Sequence, residues 1–288
     1  MNQLNILDGA IGTELIARGE TLPPHIWSAE INQSNPQLLL NIHEEYIKAG
    51  ANHIIANTFR TTARAYQKTG LANIEAQKAS KASMKSAITM AKKAACSYQN
   101  IKVLGSIAPL EDCYSPELFP GFQIAKKEYY TIANQLKEGG IDGYIIETMN
   151  NILEIQACLE IVQDLNLPIW ISLNLFDGYH IKSQETLEST IDMISDFNVD
   201  YILLNCNPLE RTNQGMKILS KKISRWGIYP NLGIGEPSPN GIINDYCSDE
   251  EFLSLCENAI DLGASIIGGC CGTRPMHIKL LKDNFKFS

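Results

Sequence analysis

Residues 126–148 read KKEYYTIANQLKEGGIDGYIIET, a stretch that joins a helix pattern to a strand pattern through a pair of glycines. Residues 126–138 are predicted to be helical, and Gly139-Gly140 is typical of the end of a helix. The apolar run at 143–146 suits a strand buried on both faces, and Glu147 directly follows it. This stretch therefore predicts one helix–strand repeat of a parallel α/β fold.

The same alternation extends along the chain in both directions. We predict strands over residues 4–7, 53–56, 102–106, 143–146, 168–173, 201–204, 227–229 and 265–267. We predict helices over residues 36–49, 74–97, 126–138, 152–165, 186–197, 214–222, 249–262 and from 275 onward. Eight such units predict a closed (β/α)8 barrel of the TIM type. The alternative is an open doubly wound sheet, but no Gly-x-Gly-x-x-Gly motif follows the first strand, and polar motifs follow many different strands.

The composition favours a single domain over residues 1–288. With 44% hydrophobic and 19% charged residues, the chain can bury one large core. Its net charge of −8 gives no electrostatic footprint for nucleic acid or an anionic membrane. The N-terminus lacks the pattern of a secretion signal, and no apolar run approaches the roughly 18 residues of a membrane span. We therefore expect a cytoplasmic protein with small-molecule partners; the sequence leaves its oligomeric state open.

Three of the eight cysteines follow predicted strands. Cys270 and Cys271 lie in the run GGCCGT at 268–273, after the last strand, and Cys206 follows the sixth. Strands six and eight of a barrel can bring side chains to one level at its C-terminal mouth. Adjacent strand residues point to opposite faces, so Cys270 and Cys271 can share an ion only if the flanking glycines let the backbone leave strand geometry. Three thiolates suit Zn²⁺ and leave a fourth position open, as in catalytic sites.

Other interpretations of these cysteines stay open. An isolated cysteine such as Cys158 or Cys256 is expected to be a small, inert, buried side chain. A vicinal disulfide or a nucleophilic cysteine at 270 and 271 is also compatible with the sequence, but it explains fewer of the surrounding residues.

Two loops are long for connections between a strand and a helix, and both could cover a site. They span residues 107–121 and 231–245. In the first loop, Glu111 and Asp112 could face the mouth of the barrel, although such acidic pairs are more often exposed to solvent.

Taken together, the motifs make the chain resemble the homocysteine S-methyltransferase family, zinc-dependent barrels that bind homocysteine. The resemblance runs nearly end to end and rests on motifs at 8–15 (DGAIGTEL), 26–29 (IWSA), 56–60 (ANTFR), 105–106 (GS), 147–148 (ET), 205–206 (NC), 229–233 (YPNLG) and 268–278 (GGCCGTRPMHI). Each motif alone is weak, whereas their order and spacing are specific. The resemblance implies a (β/α)8 barrel with Cys206, Cys270 and Cys271 as zinc ligands.

The resemblance also implies a set of residues that hold the amino-acid end of homocysteine: Asp8, Gly9, Ala10, Asn57, Thr58 and Glu147. A carboxylate at Asp8 or Glu147 can pair with the substrate ammonium, and N–H groups in a glycine-containing turn can receive its carboxylate. Considered without the resemblance, Asp8 would be a turn residue and Glu147 an acid at a helix N-terminus.

The implied reaction is methylation of the homocysteine sulfur to give methionine. The chain lacks the length for attached folate or cobalamin domains, which favours a sulfonium donor such as S-methylmethionine or S-adenosylmethionine. The loop after the third strand, residues 107–121 and called here the third loop, lacks the family's glycine-rich run. The loop after Asn231 is atypical as well, so betaine or another donor stays open. A selenol or other thiol acceptor, and a non-catalytic barrel that binds zinc and homocysteine, are the remaining alternatives.

Overall fold

The computed structural model describes residues 4–235 and 243–285. Its strands, β1 to β8, are Asn5–Ile6, His53–Ala56, Lys102–Ile107, Gly143–Met149, Ile169–Leu173, Tyr201–Asn205, Trp226–Tyr229 and Ile266–Ile267. They pair in parallel in the order β1-β8-β7-β6-β5-β4-β3-β2, and a parallel bridge between Leu7 and His53 links β1 to β2. The sheet is therefore closed. This confirms the predicted (β/α)8 barrel and excludes the open doubly wound sheet.

The α-helices among the described residues, α1 to α11, are Ile11–Ala17, Ile31–Ser34, Pro36–Ala49, Ala63–Gln67, Asn73–Cys96, Phe122–Gly139, Ile152–Val162, Leu187–Ser195, Leu209–Lys222, Asp249–Asp261 and Pro275–Asn284. All eight predicted helices are present, although α9 begins five residues before the predicted start. The short helices α1, α2 and α4 are missing from the prediction because four to seven residues are too few to show a helical period. No helix within 4–235 or 243–285 has the length and apolar character that crossing a membrane requires.

Residues 126–148 show how one helix–strand repeat forms. Helix α6 buries Ala125, Tyr129 and Leu136 along one face, and Gly140 ends it in the left-handed region at φ +76°. Strand β4 then runs to Met149, three residues beyond the predicted end, because an irregularity follows Ile146 and shifts its pairing with β5.

This irregularity in β4 lies at the C-terminal end of the barrel. Thr148 has φ +61°, a conformation that costs a β-branched residue free energy. The side chain of Asn205 compensates, since its Oδ1 accepts from the Thr148 backbone N–H and its Nδ2 donates to Thr148 Oγ1, both at 2.9 Å. The bulge is thereby fixed to the end of β6, beside Cys206.

Two hydrophobic clusters account for most of the core. One takes a buried side chain from seven of the strands or their immediate ends and matches the filled interior of a barrel: Leu7, Leu104, Ile145, Trp170, Leu203, Tyr229 and Ile266, with the partly buried Ile55 of β2 packed against them. A second, larger cluster fills the space between the sheet and the helices. The packed interior leaves the C-terminal mouth as the place for a site.

Candidate active site

The thiols of Cys206, Cys270 and Cys271 converge at the C-terminal end of the barrel. Their sulfur atoms all lie within 4.8 Å of one another, and those of Cys206 and Cys271 are 3.4 Å apart. Cys206 follows β6 in the left-handed region at φ +53°. Cys270 and Cys271 come after the end of β8, so neither is bound to the alternating geometry of a strand. The departure from strand geometry that the sequence required is present.

Backbone hydrogen bonds hold each cysteine against the end of β7. The Cys206 N–H donates to the Tyr229 carbonyl at 3.2 Å, and the Cys270 N–H donates to the Pro230 carbonyl at 2.8 Å. The Cys271 carbonyl accepts from the Leu232 N–H at 2.9 Å. The three thiols are therefore positioned by main-chain contacts between neighbouring strand ends.

Glycines make this turn possible for two different reasons. A Cβ at Gly269 would overlap the side chain of Thr273, whose hydroxyl donates to the Cys270 carbonyl at 2.6 Å. Gly272 has φ +85°, which favours glycine. The run around the two cysteines thus needs glycine for close packing on one side and for backbone conformation on the other.

The donor set fits a thiophilic metal ion such as Zn²⁺. Thiolates bound tetrahedrally to zinc at about 2.3 Å lie about 3.8 Å apart, within the range that these sulfurs span. Hydrogen bonds from Cys270 and Cys271 lower the pKa of the Cys206 thiol well below its usual value, against the effect of burial. Within the described ranges no histidine, carboxylate or further cysteine joins the cluster. The cluster can therefore offer three ligands and leave a fourth position to a substrate.

A cavity of about 480 Å³ opens above the thiols, a volume typical of small-molecule sites. Its inner end is formed by the three cysteines and Glu147. Its outer part is formed by side chains from the loops after β1, β2 and β3, among them Trp27, Arg60 and Tyr114.

Glu147 lies in β4 and lines the cavity, and the residue is only 8% exposed. Burial raises its pKa to about 7, although hydrogen bonds from Ser106 and Tyr229 act in the opposite direction. The Ser106 hydroxyl donates to Oε1, and the Tyr229 hydroxyl lies 3.5 Å from Oε2. A cationic group in the cavity would stabilise the ionised form and gain a charge-assisted hydrogen bond.

The other predicted substrate contacts separate into two groups. Gly9, Ala10 and Asn57 line the cavity together with Glu147, whereas Asp8 and Thr58 are not among its lining residues. Asp8 Oδ2 accepts from the Ile55 N–H at 2.9 Å. Its Oδ1 is buried without a hydrogen-bond partner among the described residues, and burial raises its pKa well above the usual value.

Asn57 and Thr58 use their side chains within the protein. Asn57 Nδ2 donates to the Ser28 carbonyl at 2.7 Å and to Asn32 Oδ1 at 2.8 Å, while its Oδ1 accepts from the Ser28 hydroxyl. The Thr58 hydroxyl donates to the Ser106 carbonyl at 2.8 Å. In this structure both side chains fasten the loop after β2 to its neighbours.

A family model described as homocysteine S-methyltransferase matches residues 5–285. The chain belongs to the homocysteine S-methyltransferase family. Homocysteine S-methyltransferase 1 of Arabidopsis thaliana is 29% identical, over 98% of this chain and 93% of its own length. The prediction that the chain is an enzyme of this family is confirmed.

Two further relatives of this methyltransferase family bear on the site. The metallated form of the homocysteine methyltransferase MmuM from Escherichia coli superimposes with a TM-score of 0.84 at 28% identity, covering 98% of this chain and 96% of that one. Selenocysteine Se-methyltransferase from Brassica oleracea var. italica is 27% identical, over 96% of this chain and 87% of its own length. The family therefore includes a protein crystallised with metal and one named for a selenol acceptor.

The sequence prediction assigned no role to Trp27 or Tyr114, both of which line the cavity. Trp27 sits at φ +49°, unusual for a bulky residue, and a Cβ at Gly12 would overlap its ring. The Tyr114 hydroxyl lies 3.6 Å from the sulfur of Cys206. The available signals were the 26–29 motif for Trp27 and, for Tyr114, the departure of the third loop from the family's usual form.

The third loop does contribute to the site, because residues 112–115 all line the cavity. Glu111 and Asp112 differ: Asp112 lines the cavity and is exposed to solvent, whereas the Glu111 carboxylate pairs with Arg64 and Lys68. Of the other loop expected to cover a site, 231–245, residues 236–242 lie outside the described residues.

Proposed function

We propose that this chain, acting as one barrel domain over residues 1–288, transfers a methyl group from a sulfonium donor to the thiol of L-homocysteine. The donor is S-methylmethionine or S-adenosylmethionine, and the product is methionine. The convergence of three thiols at the inner end of a substrate-sized cavity, with a fourth ligand position left open, carries the proposal. Membership of the family supports homocysteine as the acceptor.

In this proposal Cys206, Cys270 and Cys271 hold Zn²⁺. The bound ion would lower the pKa of the homocysteine thiol from about 8.5, so that a nucleophilic thiolate is present at neutral pH. The soft character of the three ligands supports zinc over magnesium or calcium, which prefer oxygen. The metallated relative supports the presence of a metal at such a site.

The chain's own residues would orient the acceptor. Glu147, ionised, would pair with the homocysteine ammonium, and the backbone at Gly9 and Ala10 would lie beside its carboxylate. Asp8 and Thr58 stay predicted contacts, although their observed bonds brace the loops around the cavity. Enclosure of both substrates in one cavity aligns them and reduces the entropic cost of their meeting.

In this proposal the methyl group passes directly from donor to acceptor, without a covalent enzyme intermediate. The homocysteine sulfur, having lost its proton, forms a bond to the methyl carbon. The bond from that carbon to the sulfonium sulfur breaks, and its electron pair stays on the leaving sulfur, which becomes a neutral thioether. A sulfonium is suited to this step because its positive charge is neutralised as it departs.

A donor panel tests the proposal. Purified zinc-loaded protein is incubated with homocysteine that carries ¹³C in its carbon chain and with S-methylmethionine, S-adenosylmethionine, betaine or methyltetrahydrofolate. Mass spectrometry should show labelled methionine with at least one sulfonium. Labelled methionine from betaine or the folate alone would refute the sulfonium assignment, and no labelled methionine from any donor would favour a non-catalytic barrel.

A selenol acceptor is the second candidate, favoured by the similarity to a selenocysteine Se-methyltransferase. A selenolate is a softer nucleophile of similar shape and would suit the same three-thiol metal site. Competition between homocysteine and selenocysteine for one donor decides: a higher kcat/KM for the selenol would make it the preferred acceptor.

A further inference from the structure

The outer part of the cavity carries two charges of opposite sign. Among the described residues that line it, the charged side chains are Arg60, Asp112 and Glu147. Glu147 lies at the inner end with Ser106 and Tyr229, whereas Arg60 and Asp112 come from the loops after β2 and β3. The proposed role of Glu147 in homocysteine binding leaves Arg60 and Asp112 without a function.

Arg60 has no carboxylate partner within the described part of the chain. Its Nη1 donates to the Glu111 carbonyl at 2.6 Å, and its guanidinium lies 5.3 Å from the centre of the Phe59 ring. The Glu111 carboxylate instead pairs with Arg64 and Lys68. A guanidinium has five N–H donors in a planar fork that matches a carboxylate. Arg60 is therefore a cation held in place at the cavity wall, with N–H donors still available to a ligand.

Asp112 supplies the negative charge and is exposed to solvent where it lines the cavity. Its Oδ1 accepts from the Tyr114 N–H at 2.7 Å, which fixes the carboxylate at the start of the cavity-lining segment. It forms no ion pair with any residue in 4–235 or 243–285, so neither Arg60 nor Asp112 is neutralised by the other.

We propose that Arg60 and Asp112 recognise the amino-acid head group of the methyl donor, with its α-carboxylate on Arg60 and its α-ammonium on Asp112. This inference rests on the proposed function and assigns two residues to the amino-acid head group that both proposed donors share. A zwitterionic head group satisfies both charges at once, whereas betaine offers a carboxylate but no N–H donor for Asp112. The sulfonium end is then left to extend inward, toward the thiols.

The test compares two sulfonium donors. S-Methylmethionine carries the head group, and trimethylsulfonium presents only the reacting centre. For Arg60→Gln and for Asp112→Asn we expect kcat/KM for S-methylmethionine to fall by about ten- to a hundredfold, the effect of losing a charge-assisted hydrogen bond. The rate with trimethylsulfonium and the KM for homocysteine should stay within about twofold of wild type. Arg60→Lys should recover part of the loss, and Arg225→Gln, remote on the surface, should match wild type.

Calorimetry gives a second readout that does not depend on turnover. Binding of S-methylmethionine should weaken by the same factor in both variants. Equal losses with both sulfoniums, a raised KM for homocysteine, or unchanged S-methylmethionine binding would each overturn the assignment while leaving the proposed function intact. A wild-type enzyme that is inactive with every sulfonium would instead overturn the proposed function, and the donor site with it.

Discussion

The inner end of the cavity and its mouth are built differently. At the inner end, Cys206 and Cys270 are held by backbone hydrogen bonds to β7 and to the residue that follows it, and the thiols are surrounded by packed strands. At the mouth, Arg60 and Asp112 come from loops. Arg60 is held by a hydrogen bond to a carbonyl and a ring contact, and Asp112 by a hydrogen bond within its own loop. Main-chain contacts between strands fix position more firmly than such local contacts on loops.

This difference is consistent with a division of labour under the proposed function. In that proposal the activation of the thiol needs metal ligands at fixed separations, which strand ends provide, whereas the choice of donor could change with a loop while the ligands stay in place. The third loop, where this chain departs from the family's usual sequence, is the one that supplies residues 112–115 to the cavity. Substitutions at the inner end should therefore affect all donors alike, and those at the mouth should discriminate between them.

The largest effect is expected at the inner end. Replacing Cys206, Cys270 or Cys271 singly by Ala should abolish stoichiometric zinc and lower turnover by at least about a thousandfold with every donor. Elemental analysis and methionine formation measure the two losses. Cys96→Ala, an exposed thiol on α5, is the matched control and should keep both. A Cys270→Ala protein with full zinc content and normal rate would contradict the zinc mechanism.

A smaller effect is expected for the acceptor contact. Glu147→Gln removes the charge proposed to bind the homocysteine ammonium, so the KM for homocysteine should rise about ten- to a hundredfold. The KM for the donor should change little. Glu160→Gln, in an ion pair on the surface of α7, serves as the control. If the donor KM rises instead, Glu147 belongs to the donor half of the cavity.

These two predictions concern residues that could be named from the sequence: strand-end position and glycine context mark the cysteines, whereas Glu147 is named only through the family resemblance. The barrel could be predicted as well, since its repeat recurs eight times. The bulge in β4 could not, because it depends on the side chain of Asn205, at the end of β6, bonding to Thr148 past the intervening strand β5. The positions of Tyr114 and Arg60 at the cavity could not be predicted either, because loop residues follow no period and reach the site only through the folding of the loop.

A still smaller effect on activity is expected for Tyr114, which lies between the inner end of the cavity and its mouth. Tyr114→Phe removes the hydroxyl beside the Cys206 sulfur, and the loss of one hydrogen bond should lower kcat/KM by about two- to tenfold. Zinc content should not change. Tyr130→Phe, exposed on α6, controls for the substitution itself. Loss of zinc from Tyr114→Phe would mean that the hydroxyl contributes to metal binding.

Substitutions among the helices that surround the barrel should affect neither the inner end of the cavity nor its mouth. His43 on α3 is fully buried with both ring nitrogens unpaired among the described residues, and burial lowers its pKa to about 4. The unfolded chain takes up a proton near pH 6.5 and the folded chain does not, so stability is complete above pH 6.5 and is lost as pH falls toward 4.

Because of His43, the free energy of unfolding should fall by about 2 kcal/mol between pH 7 and pH 5. His43→Leu should remove that part of the pH dependence in urea unfolding and leave kcat unchanged. His25→Leu, at an exposed histidine, serves as the matched control for the substitution. An unaltered slope in the His43 variant would show that His43 is not held neutral by the fold.

X-ray absorption at the zinc edge tests the central claim most directly, because it counts the sulfur atoms around the metal. In the zinc-loaded protein we predict three sulfurs at about 2.3 Å and one lighter ligand, changing to four sulfurs when homocysteine is added. A sulfur count that does not rise with homocysteine, or a zinc ion without three sulfur ligands before its addition, would contradict the proposed site.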